Sequence, residues 1–293
     1  MKNFIKIVVF GFVLFATSLQ AKVNTIVSIV PQKSFVEAIG GDLVNVSVMV
    51  LPGSSPHSYE PKPSQMKELN SAEIYFAMGV EFENVWLNKF KNQNKNLKII
   101  DTTKGIEKID MIEHHHHDEE HKDHHHDHDD EDEDGKDPHI WTSLENIKQI
   151  AKNIVDALIE ADQVNQAKYQ ANYEVFIQKV ISVDKEIRDI LQNTPKNSKF
   201  MVFHPAFGYF AKEYGLVQIA VEVEGKEPKP SSLAKLIDEA KEQNIRAIFT
   251  QPEFSDKSAN IIAKELKIDV IKVSPLNPKW DENLINLAKS IAK

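Results

Sequence analysis

The chain contains no cysteine among its 293 residues. No disulfide framework can therefore stabilise the fold, and no lipid-modifiable cysteine follows the amino-terminal segment. A chain of this length, 41% hydrophobic, can still bury a sizeable core, either as one large domain or as two lobes.

Glycine and proline are missing between Leu144 and Thr194. The second half of this stretch, from Tyr173 to Leu191, carries apolar residues at spacings of three and four. This pattern predicts a helix with one apolar stripe that begins near an Asp162 cap, covers about residues 163–193 and is roughly 45 Å long. If this stiff helix joins two lobes, ligand binding should produce small tilts in place of a wide hinge closure.

Aliphatic and aromatic residues are missing from residues 113–137, which cannot bury enough apolar surface to fold and are predicted to be disordered. Thirteen carboxylates against two lysines give this tract a charge of −11, so the −9 of the whole chain comes from the tract and the remainder is nearly neutral. The tract also carries nine histidines: His114, His115, His116, His117, His121, His124, His125, His126 and His128.

Neutral imidazole suits zinc, copper and nickel, so the tract is predicted to supply weak auxiliary metal sites. An ordinary solvated acidic loop is the alternative interpretation. A purification tag is another, although an internal tract interleaved with acids is unlike one.

The first 21 residues have the features of a secretory signal peptide. Lys2 and Lys6 precede an apolar run over residues 7–15, and Leu19-Gln20-Ala21 forms an imperfect small-residue cleavage site. The run is too short to span a bilayer comfortably, which argues against a transmembrane anchor. We therefore expect export to the periplasm, with neither a lipid anchor nor stable membrane insertion after cleavage.

Short β-branched runs alternate with amphipathic stretches in two parts of the chain, which predicts an α/β fold of two lobes with parallel sheets. The predicted strands cover residues 23–30, 44–51, 72–78 and 97–100, then 200–203, 217–221, 245–250 and 270–273. This pattern divides the chain into an amino-terminal lobe (22–143), a helical segment (144–194) and a carboxy-terminal lobe (195–293).

Only three histidines lie outside the tract. His57 follows the second predicted strand, His139 follows the tract, and His204 directly follows the strand that ends at Phe203. Strand ends in open parallel sheets are where α/β folds place their ligands. Each histidine alone is equally explained as a loop residue or a cap, but three together suit a tetrahedral zinc site completed by water or a carboxylate.

The sequences around these histidines resemble those of a known family. Pro56-His57-Ser58-Tyr59-Glu60-Pro61, Asp137-Pro138-His139-Ile140-Trp141 and Phe203-His204-Pro205-Ala206-Phe207-Gly208 resemble the motifs of metal-specific solute-binding proteins of bacterial ABC importers. The resemblance extends from about Val23 to the carboxy terminus. The His/Asp-rich insertion before the second motif is similar to that of the zinc-specific, ZnuA-type branch.

This resemblance implies two (βα)4 lobes joined by a long helix, with metal in the cleft between the lobes. It also implies His57, His139 and His204 as the metal ligands. Many relatives carry an aspartate after the last strand of the carboxy-terminal lobe, where this chain has Ser274, a poor metal ligand. The fourth ligand therefore stays open between water, Glu60 and a side chain of the tract.

A site of three imidazoles without a pair of carboxylates favours zinc over manganese. The predicted function is capture of periplasmic Zn²⁺ by a monomer and delivery to an inner-membrane ABC permease with its cytoplasmic ATPase. A manganese or iron carrier of the same fold is the alternative, and a zinc-dependent hydrolase or a metal-storage protein would be a different class. The chain has no His-Glu-x-x-His motif of a hydrolase, and no nucleic-acid module is present.

Overall fold

The computed structural model describes residues 21–111, 135–222 and 226–292. The first part alternates strands and helices: β1 (Val23–Val27), α1 (Val30–Gly40), β2 (Val44–Val48), α2 (Pro63–Leu69), β3 (Ile74–Ala77), α3 (Glu81–Gln93) and β4 (Lys98–Asp101). The predicted signal peptide and most of the histidine tract lie outside the described residues.

Two helices follow, and the alternation then returns. The helices are α4 (Leu144–Ala161) and α5 (Gln166–Leu191). The last part consists of β5 (Lys199–Val202), α6 (Gly208–Tyr214), β6 (Val217–Ala220), α7 (Pro230–Glu242), β7 (Ala247–Thr250), α8 (Lys257–Leu266), β8 (Asp269–Lys272) and α9 (Trp280–Ile291).

The strands form two parallel sheets, in the orders β2-β1-β3-β4 and β6-β5-β7-β8. The inner strands β3 and β7 are buried at every position, as expected where helices cover both faces, whereas β4 and β8 at the edges expose their first and last residues. Parallel pairing places the carboxyl ends of neighbouring strands at one edge. The predicted α/β architecture of two parallel sheets joined by a long helix is confirmed.

The long helix α5 is shorter than the predicted 163–193, because residues Gln163–Asn165 form a 3-10 turn and the helix ends at Leu191. Asp162 ends α4, and its carboxylate accepts hydrogen bonds from the Asn165 side chain at 2.6 Å and the Tyr169 hydroxyl at 3.0 Å. Asp162 is also the amino-terminal cap of the 3-10 turn, which runs directly into α5 at Gln166, close to the predicted start of the long helix. The apolar stripe of α5 is buried as expected, from Phe176 to Leu191.

One apolar core runs through both halves of the molecule. Phe200 and Val202 of β5 face this common core, which includes α4, α5 and α9, while Met201 and Phe203 face a smaller core under α7 and α8. Phe35 of α1, Phe176 of α5 and Trp280 of α9 meet with ring centroids 5.6 to 5.8 Å apart. These rings tie the first lobe, the connecting helix and the last helix into one packed unit.

Among the described residues, the helices lack the combination of length and apolarity that crossing a bilayer requires.

We expect Phe35→Ala to lower the free energy of unfolding by about 3–5 kcal/mol, because it removes the central ring of this cluster and leaves a cavity. Val175→Ala on α5 is the control, since Val175 is 73% exposed and its truncation should cost less than about 0.5 kcal/mol. Urea unfolding of the metal-free protein measures both. Similar midpoints and slopes for the two variants would contradict a core shared by the two lobes.

Candidate metal site

Local sequence presents His57 and His204 at the carboxyl edges of the two sheets. His57 follows β2 after the turn Leu51-Pro52-Gly53-Ser54, in which the Ser54 N–H donates to the Leu51 carbonyl at 3.0 Å. Gly53 has φ +79°, the left-handed value that the third position of a type II turn requires, with Pro52 at the second position. His204 comes two residues after β5 ends.

The structure brings the three predicted histidines together. One ring nitrogen of each lies within 4.8 Å of the corresponding nitrogen of the other two. The Nε2 atoms of His57 and His204 are 2.9 Å apart, and those of His204 and His139 are 3.3 Å apart. In a tetrahedral zinc site with bonds of 2.0–2.1 Å, neighbouring ligand atoms lie about 3.3 Å apart, so the arrangement is already close to metal-binding geometry.

Each imidazole has its own carboxylate partner at the opposite nitrogen. The Nδ1 atoms of the three histidines lie 2.8 Å from one carboxylate oxygen each, in the pairs His57–Glu81, His139–Asp137 and His204–Glu222. A carboxylate accepts the proton of Nδ1 and so leaves the Nε2 lone pair free for a metal ion. All three rings therefore present the same tautomer to a common point.

The three carboxylates come from different parts of the fold. Asp137 stands two residues before His139, and its backbone is held by an antiparallel bridge between Asp110 and Lys136. Glu222 follows β6, the neighbour of β5, and Glu81 opens α3. These residues were not predicted from the sequence. The available signal was a position at the start of α3 for Glu81 and just after β6 for Glu222, and for Asp137 its place two residues before His139.

Glu83 fixes the turn that carries Glu81. Its buried carboxylate accepts the Met78 N–H at 2.9 Å and the Gly79 N–H at 2.8 Å, and it also contacts the Ser28 hydroxyl. Burial raises the pKa of Glu83 to about 7, against these hydrogen bonds. For Glu81, burial acts to raise the pKa, but the hydrogen bond from His57 opposes this rise, and the pKa lies below its ordinary value.

Apolar and aromatic groups wall a small cavity at the Nε2 atoms. Its lining consists of Pro56, His57, His139, Trp141, His204, Glu253, Phe254, Pro275 and Leu276. The Phe254 ring stacks on His204 with centroids 4.5 Å apart and planes at 23°. The Trp141 Nε1–H donates to the Pro275 carbonyl at 2.8 Å, which joins the two halves of the wall. His139 and His204 are consequently only 2% and 3% exposed.

The candidates for a fourth ligand have different positions. Glu60 is exposed and does not line the cavity. Ser274 lies outside the lining too, but its hydroxyl donates to Glu253 Oε1 at 2.9 Å, and Glu253 lines the cavity. All nine tract histidines lie outside the described residues. Glu253 and Phe254, on the loop after β7, were missed by sequence reasoning because no local motif marks them.

Burial lowers the pKa of His204 to about 4. The neighbouring rings of His139 and His57 lower it further, while the hydrogen bond and charge of Glu222 oppose the shift. His204 is therefore neutral across the physiological pH range, which is the state that a metal ligand needs.

The chain is similar to known metal-transport proteins over nearly its whole length. The family model ZnuA, described as "Zinc-uptake complex component A periplasmic", matches residues 26–293. The chain is 30% identical over 249 residues to the high-affinity zinc uptake system protein ZnuA of Bacillus subtilis (strain 168), a match that covers 84% of this chain and 76% of the relative. It is 29% identical over 245 residues to the metal ABC transporter substrate-binding lipoprotein SsaB of Streptococcus sanguinis, covering 79% and 73%.

Solved structures of metal-binding proteins are also similar to this chain. A crystal structure of ZnuA is 41% identical with a TM-score of 0.82, and the match covers 92% of this chain and 98% of that one. An internal deletion mutant of ZnuA with zinc bound is also 41% identical, with a TM-score of 0.81 and coverage of 92% and 97%. A manganese-bound periplasmic protein from Candidatus Liberibacter asiaticus, 21% identical with a TM-score of 0.76, shares the fold.

The lowered pKa of His204 predicts acid sensitivity of the metal-free protein. The unfolded chain protonates this histidine near pH 6.5, whereas the folded chain protonates it only near pH 4, so its contribution to stability is present above about 6.5 and is lost as pH falls towards 4. Relative to His204→Gln, wild type should lose about 1–3 kcal/mol of unfolding free energy between pH 7 and 4.5. Urea unfolding at several pH values measures this difference, and parallel pH profiles would contradict it.

Proposed function

Since this chain belongs to the ZnuA family of periplasmic metal-binding solute-binding proteins, we propose that its cargo is Zn²⁺ and that His57, His139 and His204 bind it. As a member of this family it is a metal-binding component of an ABC transporter and is not an enzyme. The observation that carries the zinc assignment is the convergence of three Nε2 atoms, each on a ring whose Nδ1 faces a carboxylate.

The chemistry of these donors supports zinc. Imidazole nitrogen suits zinc, whereas manganese prefers sites rich in carboxylate and carbonyl oxygen. Within the described parts of the chain, the one cluster of three potential ligands consists entirely of histidines. The relatives named for zinc, including the ZnuA structures at 41% identity, support the same assignment. A manganese or iron carrier is the runner-up, because relatives named for manganese share the family.

Zinc would bind across the two halves of the molecule. His57 and His139 belong to the proposed amino-terminal lobe (22–143) and His204 to the carboxy-terminal lobe (195–293), with residues 144–194 as the helical connection. The shared core resists a wide separation of the lobes, so capture and release involve the loops around the histidines and small tilts of the lobes. Neutral, hydrogen-bonded imidazoles bind without reorganising.

The cellular setting follows from the same assignment. Residues 1–21 direct export to the periplasm, where the mature chain acts as a monomer. An inner-membrane permease receives the zinc, and its cytoplasmic ATPase drives uptake. The tract histidines collect zinc more weakly, since the tract has no apolar residues from which a preorganised site could be built.

We expect alanine replacement of His57, His139 or His204 to weaken zinc binding by at least about a hundredfold. Each loss leaves two strong ligands, and it also leaves Glu81, Asp137 or Glu222 without its partner. Competition of the full chain with a chromophoric chelator isolates the tight site, with His117→Ala of the tract as the control. Wild-type affinity in any of the three variants would remove that residue from the site, and tighter binding of Mn²⁺ than Zn²⁺ by the wild type would favour the runner-up.

Deleting residues 113–133 should remove several weak zinc sites and leave one tight site. The residues on either side of the deletion lie close together, because the Met111 N–H donates to the Gly135 carbonyl at 2.9 Å. A short turn can therefore join the two ends. Calorimetry of the full and deleted chains at pH 7.5 counts the sites. Loss of the tightest site on deletion would show that the tract supplies a ligand.

A further inference from the structure

Glu253 stands at the metal cavity on a loop that is bound to His204 at several points. This loop connects β7 to α8. The buried Gln251 side chain accepts the His204 N–H at 3.2 Å and donates to the His204 carbonyl at 2.8 Å, and Phe254 stacks on the imidazole. Glu253 lies between these two anchors, so its backbone is held beside His204.

The two carboxylate oxygens of Glu253 differ in their hydrogen bonding. The Ser274 hydroxyl accepts the Leu276 N–H at 3.0 Å and donates its own proton to Glu253 Oε1 at 2.9 Å. Glu253 Oε2 is buried and has no hydrogen-bond partner among the described residues. A buried carboxylate oxygen without a partner is costly, so such an atom in a native structure needs an explanation, and a bound ion or an ordered water molecule is the usual one.

Two other carboxylates near the site, Glu81 and Glu222, also have a buried oxygen without a partner. Both bind the Nδ1 side of a histidine, behind the ring, and neither lines the cavity. Glu253 differs because it lines the same cavity as the three histidines and makes no hydrogen bond to any of them. Glu253 is therefore the one of these carboxylates that shares the cavity with the imidazoles, and its side chain would have to turn toward them to bind an ion, because its oxygens are not part of the group of ligand atoms that lie within 4.8 Å of one another.

We propose that Glu253 is the fourth protein ligand and completes a His3Glu site for the cargo ion through Oε2. This inference rests on the proposed metal site and adds to it the ligand that the histidines leave open. Three neutral imidazoles leave both charges of a divalent cation uncompensated inside the ligand shell, and an ionised carboxylate in direct contact offsets one of them. Ser274 serves as a positioning residue that holds the other carboxylate oxygen.

The test compares Glu253→Gln with Glu60→Gln in the full chain, using zinc alone and chelator competition. Both substitutions remove one carboxylate of the same chemistry, but Glu60 is exposed and lies outside the cavity lining. We expect Glu253→Gln to weaken zinc binding about tenfold to a hundredfold and Glu60→Gln to change it less than about threefold. Ser274→Ala should give a smaller loss than Glu253→Gln, and metal-free melting temperatures check that the variants fold.

Equal zinc affinity of wild type and Glu253→Gln would overturn the inference while leaving the three-histidine site intact, as would equal losses in the two glutamate variants. No tight zinc binding by the wild type would overturn the proposed function as well. A zinc-bound crystal structure separates direct binding from an indirect effect. We expect a Glu253 oxygen about 2.0–2.2 Å from zinc, and a water molecule in that position would overturn the assignment.

Discussion

The hydrogen bonds between the histidine Nδ1 atoms and their carboxylates organise the metal site. A neutral imidazole can carry its proton on either nitrogen, and a metal ion can bind only the nitrogen that lacks it. Glu81, Asp137 and Glu222 each place a carboxylate oxygen 2.8 Å from the Nδ1 atom of one histidine. All three rings therefore carry the proton on Nδ1 and leave Nε2 free. The result is a buried group of three lone pairs that repel one another, a state that a cation stabilises directly.

The same carboxylates also balance the charge of a bound cation locally. The chain has a formal charge of −9, but the tract alone supplies that excess and the rest of the chain is nearly neutral. A buried divalent cation is therefore balanced by carboxylates within a few ångströms and not by the net charge of the protein. Asp137 and Glu222 are only 1% and 5% exposed, so solvent and salt screen their effect on the site weakly.

Most of the fold could be predicted from the sequence because its signals are local. Buried parallel strands require continuous apolar runs, and each of the eight strands in the described residues overlaps one of the predicted runs. The break between α4 and α5 lies at Asp162, where the long helix was predicted to begin, although no glycine or proline marks it. It depends on one carboxylate, that of Asp162, which engages side chains three and seven residues further along the chain.

The three histidines could be predicted from the sequence, whereas Glu253, which lines the same cavity, could not. His57, His139 and His204 are conspicuous because the chain has no other histidines outside the tract. Glu60 was a candidate ligand and lies three residues from His57, yet proximity in sequence does not place it in the cavity. Glu253 is 49 residues from His204 and 21 from Ser274, and only the side-by-side pairing of β5, β7 and β8 brings their loops together. The part of a binding site that depends on which strands are neighbours becomes predictable only once the strand order is known.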